Sequence, residues 1–268
     1  MHPVFVLFGH AVQSYYFCAA AAGTVGVLLS LFTMRREKLG VWRILLPLLM
    51  VIAAVFGARL LNFCTNPEAY GSNFSVFTPS YTQLSLMGGL ISGTAFIFAF
   101  CAMSKRSPVR LLDCLSLPSA AGIMLLKLGC FLNGCCFGTP TDGVFGMVFP
   151  ANARKYEFLE SLHLPVTSPR VHPTQLYELF GAAAAIILAY SLEKALNLRP
   201  GSRFSIFASV FTLARLLVLP LRVLPYPEAV TSVFYPCLYC LTIAICTLYL
   251  LISNLRQKPP SSENSASV

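Results

Sequence analysis

The sequence predicts an all-α polytopic membrane protein of seven helices with a small external subdomain between the fourth and fifth. Three observations predict it. Of 268 residues, 56% are hydrophobic and only 11% charged. The apolar runs recur at lengths of about 20 residues, enough to cross a bilayer as helix. Lys and Arg fall mostly in alternate connections, as topology requires.

The seven spans are expected at 12–33, 42–62, 84–103, 112–130, 173–192, 204–220 and 230–253. The first basic residue is Arg35, so the start lacks the charged region of a cleavable signal and the first span is expected to stay in place. Connections one, three and five and the tail hold Arg35, Arg36, Lys38, Arg43, Lys105, Arg106, Arg110, Lys194, Arg199, Arg203, Arg256 and Lys258. The alternate connections hold Arg154, Lys155, Arg170 and Arg222. This asymmetry places the N-terminus outside and the C-terminus in the cytoplasm. The net charge of +9 then belongs to loops facing anionic headgroups, and no nucleic-acid partner is expected.

The outer connection from Phe63 to Gln83 carries Pro67, Gly71 and Pro79 and no Lys or Arg, which predicts an irregular loop or short re-entrant piece. The longest connection, 131–172, is the external subdomain. Its Thr139-Pro-Thr-Asp-Gly143 run is turn chemistry, and 144–149 is expected to form a short strand or interfacial piece. The spanning domain covers 1–258, and the polar, Ser-rich tail 259–268 is expected to be disordered. The ten cysteines, Cys18, Cys101, Cys114 and Cys246 among them, lie mostly in apolar segments, where a thiol packs as a small hydrophobe. They do not form a disulfide framework.

Three basic residues remain inside spans: Arg59, Lys127 and Arg215. An intramembrane charge is costly and marks function unless it snorkels. Arg59 and Lys127 are expected within a turn of their outer helix ends and Arg215 about 8 Å below its own. Arg222, seven residues on, is expected on the same helical face, with Pro220 able to kink the helix between. The buried acid nearby is Glu178. This excess of cations invites an anion, which at outer-leaflet depth is a lipid phosphate.

The segment Arg170-Val-His-Pro-Thr-Gln-Leu-Tyr-Glu178 opens the fifth span. Pro173 suits a first helical position and His172 its cap, so free N–H groups face the outer leaflet. Gln175, Glu178, Gly181, Ala182 and Ala185 share a face. His172 can exchange a proton near neutral pH; taken alone it reads equally as a cap. Gly129, Gly134 and Gly138 with Asn133 suggest a backbone leaving helical geometry at the outer boundary, which demands burial in protein or a wet cavity. Met87-Gly-Gly-Leu-Ile-Ser-Gly93 repeats the theme through Gly88 and Gly89, against which stands plain packing of small residues.

These residues resemble the prolipoprotein diacylglyceryl transferases of bacterial membranes over most of the chain. Arg170 with His172-Pro-Thr-Gln-Leu-Tyr-Glu178 is the most specific element. Lys127-Leu-Gly-Cys-Phe-Leu-Asn-Gly-Cys-Cys-Phe-Gly138 is similar to the family's signature segment, and Gly146-Met-Val-Phe-Pro150 to its shorter motif. Gly57-Ala-Arg59, Gly88-Gly-Leu90, Arg215, Arg222 and Tyr15 fall at corresponding places. The resemblance implies transfer of a diacylglyceryl group from phosphatidylglycerol to the lipobox cysteine of preprolipoproteins at the outer leaflet of the cytoplasmic membrane. A thioether forms and glycerol phosphate leaves. It implies no cofactor and no metal. Arg215, His172, Lys127, Tyr15 and Glu178 are the catalytic candidates; Arg59, Lys127, Asn133, Gly88, Gly89, Gln175, Arg215 and Arg222 would bind the lipid. The general base stays open among His172, Glu178 and Tyr15.

The chain departs from the family pattern at five places. Lys127 stands for a usual Arg, Cys130 for Asn, Cys135 for a frequent Glu, Met87 for a frequent His and Leu219 for an acid. A catalytically impaired lipid-binding paralogue is the alternative these departures raise. A membrane thiol-disulfide oxidoreductase, suggested by Cys237-Leu-Tyr-Cys240 and Cys135-Cys136, is a third reading. A transporter fits less well, because the charges gather at outer depth and not at the midplane.

Overall fold

The computed structural model describes residues 4–7, 10–67, 84–150, 170–224 and 226–255. Seven helices in it are long and apolar enough to cross a membrane. An antiparallel hairpin precedes them, β1 (Val4–Leu7) against β2 (His10–Gln13). The helices are α1 (Ser14–Thr33), α2 (Trp42–Thr65), α3 (Leu86–Ser104), α4 (Pro108–Asn133), α5 (Thr174–Leu196), α6 (Ser202–Val218) and α7 (Tyr235–Leu255). Most of the 63–83 connection, all of 151–169 and the tail from 256 lie outside the described residues.

The expected spans are all present, and their ends differ for local reasons. The first begins at Ser14 because 10–13 pairs as strand. α4 and α5 outrun their apolar stretches, since a helix continues into polar residues until a left-handed cap stops it, here Gly134 (φ 72) and Asn197 (φ 48). Pro108 opens α4 at a position where its missing N–H costs nothing. α6 is not kinked at Pro220 but ends at Val218; Leu219–Leu221 forms a 3₁₀ turn and Arg222 is extended. Five π-helical residues, Val230–Phe234, lead into α7.

The basic connections converge on one end of the bundle. Arg43 donates to the Leu31 carbonyl, and Arg106 to those of Glu37 and Lys38. Buried Asp113 of α4 accepts from the Gly201 and Phe204 N–H groups, tying the start of α6 to α4. Packing follows the pairs α1 on α4, α2 on α3, α4 on α5, α5 on α6 and α6 on α7. Ala182, Ala185 and Ala189 are fully enclosed beside Ala120 and Phe207, which lets α4, α5 and α6 approach closely.

The opposite end is capped by crossing loop strands. Gly138 bridges Arg222, and Pro140 and Met147 bridge Val171. Met147 and Val171 exchange two backbone hydrogen bonds of 3.0 Å, which is as much strand as the 144–149 segment forms among the described residues. Phe137, Phe149 and Val171 make a small apolar core there. This cap pins the extended residues 170–173 and 222 over the ends of α4, α5 and α6.

Candidate functional site

The buried carboxylate of Glu178 organises the site. Lys127 Nζ and Arg215 Nη1 both lie 2.7 Å from its Oε2, and Arg222 Nη1 lies 2.9 Å from Oε1. Four elements therefore supply one cluster of three cations and one anion, a local charge of +2. All four residues are largely withdrawn from solvent: the side chain of Glu178 is 1% exposed, Arg215 6%, Lys127 8% and Arg222 10%. Burying charge is tolerable only with pairing and hydrogen bonds.

Arg215 is fixed further by Tyr239, whose hydroxyl accepts from its Nε and Nη2 at 3.3 and 3.2 Å. Arg222 has the opposite character. Its Nη1 is paired while its buried Nε has no hydrogen-bond partner. Such a donor is costly to leave unmet and is ready for an incoming acceptor. Beyond the end of α6, the Glu178 carboxylate nevertheless holds the Arg222 guanidinium fully cationic by raising its pKa against the desolvation that would lower it.

Arg59 and Lys127 lie deeper than the spans predict: Arg59 stands six residues before Thr65 and Lys127 six before Asn133, about 9 Å along each axis, so neither is within one turn of its helix end. Arg215 stands three residues before Val218, in the last turn of α6 and nearer its helix end than expected. Arg59 is buried on α2 one turn from Asn62, which donates to Tyr226 Oη at 2.8 Å.

The mouth is made by the segment before α5. The cap residue is Pro173, one position later than expected, and it makes no side-chain cap. His172 faces Tyr177 instead, with Nδ1 3.1 Å from the phenol oxygen. Thr174 Oγ1 donates to the Cys136 carbonyl at 2.7 Å, and Gln175 Nε2 to that of Cys135. Buried Gln175 Oε1 has no hydrogen-bond partner. Gln175, Glu178, Ala182 and Ala185 do share the buried face of α5.

Asn133 ends α4 as a buried residue, and the Cys135 thiol beyond it donates to the Cys130 carbonyl at 3.7 Å. The chain leaves the helix at Gly134; Gly129 is still helical, and a side chain there would press on Cys18 of α1. Tyr15, at the start of α1, packs on the last turns of α4, where a side chain at Gly129 would lie 3.5 Å from the Tyr15 Cα. Gly88 and Gly89 lie at the contact of α3 with α2, where a side chain at Gly88 would meet the Gly57 carbonyl.

A scan of family models matches residues 3–253 to Prolipoprotein diacylglyceryl transferase. The chain belongs to this family. Relatives named phosphatidylglycerol–prolipoprotein diacylglyceryl transferase include one from Prochlorococcus marinus, 28% identical over 68% of this chain and 64% of its own. One from Clostridium tetani is 28% identical over 64% and 65%, and one from Rickettsia rickettsii 31% over 63% and 61%. The aligned part thus spans slightly less than two thirds of those relatives.

Within this family member, the five departures fall into three places. Met87 and Leu219 pack together with Tyr235 and Tyr239 in one apolar cluster, so two positions that resemblance would make polar are replaced as a neighbouring pair. Cys130 and Cys135 join Cys136 in a group of thiols. Lys127 keeps its charge on Glu178. Sequence reasoning missed Tyr239, Tyr226 and Tyr177. The signal for Tyr239 is a phenol in an apolar span, since a buried hydroxyl there needs a partner. Cys237 and Cys240 are free and exposed on α7.

Proposed function

We propose that the protein transfers a diacylglyceryl group from phosphatidylglycerol to the lipobox cysteine thiol of preprolipoproteins, at the outer leaflet of a bacterial cytoplasmic membrane. The observation that carries this reading is the excess of buried cations on Glu178. Three paired cations against one carboxylate leave a charge of +2, of which the singly charged phosphodiester of a lipid entering from the outer leaflet would offset half and the departing phosphate monoester, at about −2, nearly all. The names of the relatives agree with both substrates.

In this reading the substrate sulfur attacks the glycerol carbon that bears the phosphate ester. The C–S bond forms, the C–O bond breaks, and glycerol phosphate leaves with the electron pair. Arg215, Lys127 and Arg222 stabilise charge building on the leaving oxygens, and preorganised donors in a water-poor site are worth far more than in water. Arg59 and Gln175 lie on the same side of the bundle and complete the headgroup site, while Asn133, Gly88 and Gly89 shape its walls.

The proton of the substrate thiol goes to His172. Both oxygens of Glu178 are occupied by cations, which suits it to orienting them and not to taking a proton. Tyr15 assists as a hydrogen-bonding group. In the tautomer whose Nδ1–H donates to the Tyr177 oxygen 3.1 Å away, His172 Nε2 presents the lone pair a base requires. In this reading the basic connections, gathered on one end, face the cytoplasm, and the described residues 134–150 and 170–172 belong to the external side.

Purified protein given phosphatidylglycerol and a lipobox peptide should yield the diacylglyceryl thioether by mass spectrometry, and Arg215→Ala should abolish it. Phosphatidylglycerol retained without any thioether would overturn turnover and leave a lipid-binding relative.

A further inference from the structure

The transfer chemistry makes no use of the three cysteines at the end of α4. Their thiol sulfurs lie within 4.8 Å of one another. Cys130 is buried and Cys135 and Cys136 are half-buried. The backbone builds this convergence. Gly134 (φ 72) and Cys136 (φ 57) both adopt the left-handed region, which turns the chain back on the last turn of α4. The Cys135 N–H donates to the Cys130 carbonyl at 3.1 Å, closing the turn. The carbonyls of Cys135 and Cys136 are then clamped by Gln175 and Thr174 of α5. The Cys135 thiol lies 3.7 Å from the Cys130 carbonyl, to which it donates. This is a rigid, supported set of donors and not three packing residues that happen to adjoin.

We propose that Cys130, Cys135 and Cys136 form a three-coordinate thiolate site for a soft d¹⁰ cation of the Cu(I) class. The donor set decides the ion. Thiolates favour Cu(I) and Zn(II) over hard cations. Zn(II) sites are almost always tetrahedral and take a fourth ligand, whereas among the described residues the group holds three donors only. Metal–sulfur bonds of about 2.3 Å put trigonal sulfurs about 4 Å apart, so the triad has to contract by less than 1 Å.

Charge supports the same choice. Three thiolates around one monovalent ion carry −2, and the cationic Lys127 stands one helical turn before Cys130 on α4. On binding, the thiol protons leave to solvent and no electron is transferred. The site does not rest on the transferase reading.

The test is an anaerobic titration of the full-length, fully reduced protein in detergent with Cu(I) against a chromophoric Cu(I) chelator. One Cu(I) per chain is expected, with X-ray absorption giving three sulfur neighbours at about 2.3 Å. Loss of an outer-shell partner already weakens metal sites by 10–100-fold, so Cys136→Ser should weaken binding by more than about 100-fold. Cys237→Ser with Cys240→Ser should leave it unchanged. Cys135→Ser gives a second readout, and equal metal-free melting temperatures confirm that each variant is folded. If both misfold, the sulfur count in the unsubstituted protein decides. Failure to compete with the chelator, a two-sulfur centre, a disulfide within the triad after purification, or undiminished binding in folded Cys136→Ser would each overturn the assignment.

Discussion

Arg222 reaches Glu178 from beyond the end of its helix: Nη1 sits 2.9 Å from Oε1 because the chain has turned through Leu219–Leu221 and paired at Gly138. The last cation of the cluster is thus delivered by a loop strand, while Lys127 and Arg215 come from helices. A charge cluster assembled from separate elements fails differently at each member.

Removing the anion leaves three buried cations facing one another. Glu178→Gln should lower stability by about 3–5 kcal/mol, the range for breaking a buried ion pair. Thermal unfolding in detergent measures it. Added phosphatidylglycerol should recover more of the loss than it adds to the unsubstituted protein, since phosphate replaces the missing charge.

Loss of a cation should act on turnover. Arg215→Ala and Arg222→Ala should each lower kcat by about 10²–10³-fold, as removal of a preorganised donor does. Arg222→Ala removes an unmet buried donor together with its charge, so it should cost less stability than Arg215→Ala. Initial rates and melting temperatures on the same preparations separate the two effects.

Tyr239→Phe isolates positioning. It deletes the hydroxyl accepting from two nitrogens of Arg215 and leaves the charge and the ring. The expected loss is about 1–3 kcal/mol of interaction at Arg215, read as a roughly 10–100-fold fall in kcat with KM for phosphatidylglycerol little changed.

The glycine contacts give a packing test. Gly88→Ala drives a methyl group into the Gly57 backbone, which cannot yield as a side chain can. It should destabilise by about 1–3 kcal/mol, the usual range of overpacking. Gly93→Ala meets only the Met50 side-chain tip at 3.4 Å and should be near neutral. An equal effect at both positions in thermal unfolding would refute the close α2–α3 approach.

Much of the site was legible early because each member breaks a rule of its surroundings. Arg59, Lys127, Arg215 and Glu178 are charges in apolar helices, and hydrocarbon tolerates those only with partners. Arg222 was assigned to the right cluster by the wrong route, as a continuation of α6. Pro220 permits either a kink or a stop, and only the Gly138 bridge shows that the helix stops. Depth was underestimated because hydropathy reports where the apolar stretch ends, and α2 and α4 run on through Asn62–Thr65 and Phe131–Asn133 as helix. The cysteine triad was invisible for a different reason. A thiol in an apolar segment normally packs as carbon does, and nothing in the spacing says that two left-handed residues will fold Cys135 and Cys136 back toward Cys130.

The sequence by itself determined the seven helices, the sorting of basic connections and the residue types of the charge cluster, because each follows from solvation free energies that act locally along the chain. Only the tertiary structure decided that Glu178 is the common partner of Lys127, Arg215 and Arg222, that Tyr239 steadies Arg215, and that three thiols converge. Those relationships depend on distances between elements far apart in sequence. Such distances are set by small-residue packing of α4, α5 and α6 and by the loop strands that close their ends.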